Sequence, residues 1–151
     1  MKMLTVVLSI YATAFAGLLS WSPTVSVQVT SPQRYNLSLG VSGVDWGGIF
    51  GSESSFLIRV EPGISGGKFH AGARSSFSFA FVPVVSVDMT GAIMYTWNDP
   101  WNGIPDDQTY AGMEMRWGAL PWVISAGYYK HVAGWDTEHE WVTSFGAGFG
   151  F

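Results

Sequence analysis

The chain has 151 residues, enough for one domain, and only 12% of them are charged, while 16% are aromatic and 19 are glycine. That is about half the usual charge of a soluble domain and points to a surface that faces something other than water. A formal net charge of −4 argues against a nucleic-acid partner, which would want a basic stripe, and the absence of cysteine excludes a disulfide framework, a thiolate metal site and a thiol nucleophile.

In chain order, Met1-Lys2 carries a positive charge and Met3 to Ala16 is uncharged and mostly apolar. Ala14-Phe15-Ala16 places small residues at the two positions a signal peptidase inspects, so cleavage is expected before Gly17, leaving 17–151 as one domain. The other reading is an anchor helix from Met3 to about Trp21, just long enough to span a bilayer.

Beyond Gly17 the apolar residues repeat every two positions rather than every 3.6, which predicts strands. Val25, Val27 and Val29 make a short first run, and Tyr35, Leu37, Leu39 and Val41 alternate with polar residues over 34–43. Phe56, Ile58 and Val60 stand against Arg59 and Glu61; Phe69, Ala71, Ala73, Phe77, Phe79 and Phe81 stand against His70, Arg74 and serines. Val85 to Trp97 alternates with Asp88 and Thr90, and Ala111, Met113, Met115 and Trp117 face Tyr110, Glu114 and Arg116. Trp122 to His131 is apolar in both classes at its start, with Lys130 out of pattern, and Trp141 to Phe151 sets aromatics against Ser144 and glycines. These are eight strands.

Gly47-Gly48, Val82-Pro83-Val84 and Gly118-Ala119-Leu120-Pro121 read as tight turns, whereas Trp97 to Gln108 and Ala133 to Glu138 read as longer loops. Short turns at one end and longer loops at the other, with an even strand number, fit an up-and-down transmembrane barrel with both termini in the periplasm. Ser31-Pro32-Gln33 is very short for a first outer loop.

Sidedness follows from what the polar class contains. A soluble barrel would expose Lys, Glu, Gln and Asp, but here that class is glycine, serine, threonine and asparagine with Arg59, Glu61, Arg74, Asp88, Glu114 and Arg116. Three positive and three negative groups suit a narrow interior where charges must pair. Aromatics gather near strand ends, at Tyr35, Phe81, Tyr95, Trp97, Trp117, Trp122, Trp141 and Phe151, like the girdles at membrane interfaces. The expected fold is therefore all-β, an eight-stranded antiparallel barrel turned inside out.

Ser144-Phe145-Gly146-Ala147-Gly148-Phe149-Gly150-Phe151 is similar to the C-terminal signal read by the bacterial barrel-assembly machinery, with Ser144, Gly146, Phe149 and Phe151 at its pattern positions. In size, alternation and last strand the chain resembles the small eight-stranded family typified by the transmembrane domain of outer-membrane protein A and by outer-membrane protein X. The resemblance implies the bacterial outer membrane, with its lipids, lipopolysaccharide and the assembly machinery as partners, and transfers no functional residue.

Three groups of residues carry possible chemistry. Interior charges can form a proton path, but in a closed eight-stranded barrel they read as a rigidifying network. His70, with Ser76, Ser78 and Glu61 or Asp88, has the residue types of a lipid-modifying hydrolase but reads as a satisfied interior histidine. His131 and His139 flank an acidic loop, with Asp136 and Glu138, that has no standard zinc spacing and reads as solvated; Asp99, Asp106 and Asp107 of the long 97–108 loop add to the outer negative charge, and divalent ions can bridge such carboxylates to lipopolysaccharide phosphates. Lys130 and Trp135, near the same rim, are expected at headgroup level. The expectation is a barrel without enzymatic activity, cofactor or open pore, in a structural or surface-interaction role. The alternatives are a lipid-modifying barrel enzyme and a soluble periplasmic lipocalin-like binder of an apolar ligand.

Overall fold

The computed structural model describes residues 21–43, 53–79, 82–135 and 138–150. Eight strands follow one another: β1 Ser22–Thr30, β2 Arg34–Gly43, β3 Glu53–Gly63, β4 Gly66–Phe79, β5 Val82–Thr96, β6 Thr109–Ala119, β7 Trp122–Ala133 and β8 Trp141–Gly150. Each pairs antiparallel with the next, and β8 pairs with β1 to close the barrel. A single 3-10 turn, Trp101–Gly103, interrupts the β5–β6 loop, and no helix among the described residues is long and apolar enough to cross a membrane.

The register sets the tilt. Pairs run from Thr24 through Gly40, Arg59, His70, Ala92, Gly112 and Tyr129 to Val142, which lies four residues beyond the Gly146–Thr30 pair. One circuit therefore climbs β1 by ten residues, the kind of stagger that accompanies strands inclined about 35–45° to a barrel axis. The termini, the Leu120-Pro121 turn and the β4–β5 connection share one end. The other end, the mouth, carries the β1–β2, β3–β4, β5–β6 and β7–β8 connections.

The two-residue period becomes two faces. Val27, Leu37, Ile58, Phe69, Met89, Ile93, Met113, Ile124, Phe145 and Phe149 are exposed on the outer wall, while Ser26, Gln28, Asn36, Arg59, Glu61, Asp88, Thr90, Glu114, Arg116 and Ser125 are buried within. Among the described strand residues that point outward, the only charged one is Lys130, at the mouth rim. Of the expected aromatics, Tyr35, Tyr95 and Trp141 lie at the mouth end and Trp117 and Trp122 at the terminus end. The half-buried Trp97 ring lies against Gly67, and Phe81 and Phe151 fall outside the described residues.

Two turns shift. Val82-Pro83-Val84 is not a turn but the start of β5, because Phe79 pairs with Val82 and the reversal falls two residues earlier. Gly118 and Ala119 end β6, so only Leu120-Pro121 turns. Gly47-Gly48 lies outside the described residues.

Candidate functional site

The barrel's chemistry is concentrated in a buried charge cluster supplied by four adjacent strands. β3 gives Arg59 and Glu61, β4 gives Lys68, His70 and Arg74, β5 gives Asp88, and β6 gives Glu114 and Arg116, all at inward register positions. Arg59 is the hub. Its Nε is 2.9 Å from Glu61 Oε1, its Nη1 donates to Asp88 Oδ2 at 2.8 Å, and its Nη2 is 3.5 Å from Glu114 Oε1. Each of these carboxylates holds a second cation: Glu61 pairs with Arg116, Asp88 takes Nε and Nη2 of Arg74 at 2.7 and 2.9 Å, and Glu114 accepts from Lys68 Nζ at 2.7 Å. Tyr129, from β7, donates its hydroxyl to Glu114 Oε2 at 2.8 Å.

All six charges expected inside thus lie in one network. The structure adds Lys68, which removes the expected balance: four cations face three carboxylates, and Arg59 is the surplus one. Burying an ion is tolerable only with close partners, and Arg59 has three.

The opposite half of the wall receives these side chains. Arg116 Nη1 donates to Ser38 Oγ at 3.0 Å on β2 and to Ser26 Oγ at 3.3 Å on β1, and Gln28 lies against the same guanidinium. Lys68 reaches Ser144 Oγ on β8 at 2.7 Å. Gly146, also on β8, leaves no room for a Cβ, which would strike Thr30 and the Ser125 hydroxyl. Ser144 and Gly146 therefore face inward and Phe149 outward, while Phe151 lies outside the described residues.

His70 is fully buried. Its Nδ1 is 3.1 Å from Thr90 Oγ1 and 3.5 Å from Arg59 Nη2; its Nε2 is 3.4 Å from Glu61 Oε2 and 4.0 Å from Glu114 Oε1. The hydroxyl beside the ring is that of Thr90, not of Ser76, and the Ser78 side chain lies outside what the structure describes. A neutral ring with its proton on Nε2 faces Glu61 with a donor and Thr90 and Arg59 with an acceptor.

Glu61, His70 and Glu114 also offer three ligand atoms within 4.8 Å of one another, the set that would hold a metal ion. It fits one poorly. Arg59, Arg116 and Lys68 already occupy the carboxylates, and a divalent ion would add two positive charges to a cluster with one cation in excess.

At the mouth, the residues weighed as loop ligands are separated by other bonds. His131 Nε2 lies 3.1 Å from Gln108 Oε1, and its ring packs edge-on to Tyr110. Asp99 pairs with Arg34, Asp106 accepts from the Asp99 amide at 2.9 Å, and Asp107 accepts from Tyr95 OH at 2.7 Å. Glu140 is 3.6 Å from Lys130, whose ammonium lies 5.4 Å from the centroid of the Trp141 ring. Asp136 lies outside the described residues.

Sequence reasoning missed Lys68 and the apolar cap above the cluster, where Met94, Tyr110, Tyr129, Val142 and Ile104 pack together. Lys68 was detectable by parity, since it stands two residues before His70 on the same strand face. The chain matches no protein-family model, no curated protein and no solved structure, so its reading rests on this geometry.

Proposed function

We propose that the chain is a small integral outer-membrane barrel of a Gram-negative bacterium, exported by a cleaved leader, with a structural or surface-interaction role and no open pore. The observation that carries this reading is the sidedness of the wall: aliphatic and aromatic side chains outside, a paired charge cluster within. Lipid covers such an outer face at no cost, whereas water would not. Strands of 9 to 15 residues meet the about 9–11 that a tilted transmembrane strand needs. The binder of an apolar ligand is disfavoured because the lumen beneath the apolar cap is filled with charged and hydroxyl groups, and Ile104 of the chain itself occupies the cap. Its partners on this reading are membrane lipids, lipopolysaccharide and the barrel-assembly machinery, to which Ser144, Gly146, Phe149 and Phe151 would present the C-terminal signal.

The test is to fractionate cells expressing the full chain and run membrane extracts on SDS gels with and without boiling. An outer-membrane band that migrates faster unboiled is the expected result. A soluble periplasmic band without a heat shift would overturn the proposal.

A further inference from the structure

The β5–β6 loop, 97–108, sends one aliphatic side chain into the barrel. Ile104 is 5% exposed, although Trp101, Asn102, Asp106 and Asp107 around it are exposed. It seats on Met94, Tyr110, Tyr129 and Val142, inward residues in the mouth half of β5 to β8. Tyr129 connects this cup to the layer below through its bond to Glu114.

The rest of the loop is held by polar straps to two neighbouring turns. The Trp101 amide donates to the Pro32 carbonyl at 2.9 Å, Asn102 bonds Ser31, and Asp99 pairs with Arg34. On the other side, Ser65 Oγ donates to the Asn98 backbone carbonyl at 2.8 Å and Asn98 Nδ2 donates to the Ile64 carbonyl at 3.4 Å. Left-handed backbone occurs at both feet of the loop, at Asn98 and Asp99 (φ 57° and 59°) and at Asp107 (φ 60°). Short polar residues accept that conformation, and such positions absorb the dihedral change of a hinge. Between its two feet the loop buries only Pro100 and Ile104, and a segment with so few apolar contacts and mostly solvent-facing hydrogen bonds belongs to the low-stability end of a fold.

We propose that the β5–β6 loop is a hinged plug: Ile104 seals the barrel mouth, and the loop opens as one body on Asn98-Asp99 and Asp107 while the charge cluster beneath stays paired. The occupant of the apolar cup is thus a segment of the chain itself. This inference does not depend on the membrane proposal, because it concerns only the mouth of the closed barrel.

The chain has no cysteine, so single-cysteine labelling reads the plug directly. Ile104→Cys and Glu138→Cys, the latter exposed in the neighbouring loop, are treated with a water-soluble maleimide in the folded protein. We expect Ile104→Cys to react at least about tenfold more slowly, and the two to react alike once denatured. Adding Asp99→Gly and Asn102→Gly, which keep the left-handed backbone but delete two straps, should raise the Ile104→Cys rate severalfold with unchanged far-UV dichroism. Equal folded-state rates, or a rate indifferent to the straps, would overturn the proposal. In the unmodified chain, hydrogen exchange at the Trp101 and Asp107 amides, bonded to Pro32 and Thr96, should proceed at one common rate. Exchange of Trp101 far ahead of Asp107 would mean piecewise fraying and would also overturn it.

Discussion

The two halves of the barrel wall solve the same problem with opposite side chains. Among the described residues, strands β3 to β6 project every buried charge, from Arg59 to Arg116, whereas β1, β2, β7 and β8 answer with Ser26, Ser38, Ser125, Ser144 and inward glycines. An eight-stranded lumen is just wide enough to be filled by side chains. Long groups from both halves would collide, and short ones from both would leave a water-filled gap. The difference teaches that the interior is packed by reach and reception, with the charge pairing confined to the reaching half.

The sharpest way to break the reaching half is to remove a carboxylate rather than the hub. Glu114→Gln leaves Lys68 without a counter-charge and raises the excess from one cation to two, so we expect a loss of about 3–5 kcal/mol. Arg59→Met is expected to cost less, about 1–3 kcal/mol, because Glu61–Arg116, Asp88–Arg74 and Glu114–Lys68 remain as one-to-one pairs. Urea unfolding in detergent micelles measures both. A larger loss for Arg59→Met than for Glu114→Gln would show that the hub, and not charge count, organises the cluster.

The receiving half is broken by adding volume. Gly146→Val places atoms where Thr30 and Ser125 already stand, and overpacking of this kind costs about 1–3 kcal/mol. The same substitution at Gly91, where a Cβ on the outer wall would meet only the Ala71 carbonyl oxygen at 3.9 Å, should leave the unfolding midpoint almost unchanged. If the two variants unfold alike, the receiving half is looser than its contacts imply.

This division is legible in part in the sequence. Alternation over 34–43 gave the bounds of β2, and the polar parity of Arg59, Glu61, Arg74, Asp88, Glu114 and Arg116 put them on one face. Lys68 escapes because the alternation is taken up only at Phe69, although the β3–β4 ladder runs on to Gly63–Gly66. Val82-Pro83 misled for the converse reason: proline read as a turn, but it begins a strand, where a missing amide is tolerated. Ile104 left no trace in a period, because a loop residue reaches its contacts through tertiary folding alone. Tyr110, Met94 and Tyr129 sit at inward positions that composition had assigned to polar groups, and only the closed mouth explains them.

The smallest effect is expected outside the wall, and it separates buried pairing from pairing at the rim. Lys130 and Glu140 approach to 3.6 Å with side chains 52% and 65% exposed, beside the stacked rings of Tyr128 and Trp141. Water already screens such a pair, and holding two flexible side chains in register costs entropy. Lys130→Ala should therefore lower stability by no more than about 1 kcal/mol in micelles at moderate salt, against the larger losses inside. The lysine also lies over the Trp141 face, an attraction less sensitive to ionic strength than the exposed ion pair. Lys130→Ala and Glu140→Ala should then diverge as salt is raised: the glutamate variant approaches the parent, while the lysine variant keeps a small deficit. Identical salt curves for the two would assign the rim contact to the ion pair alone.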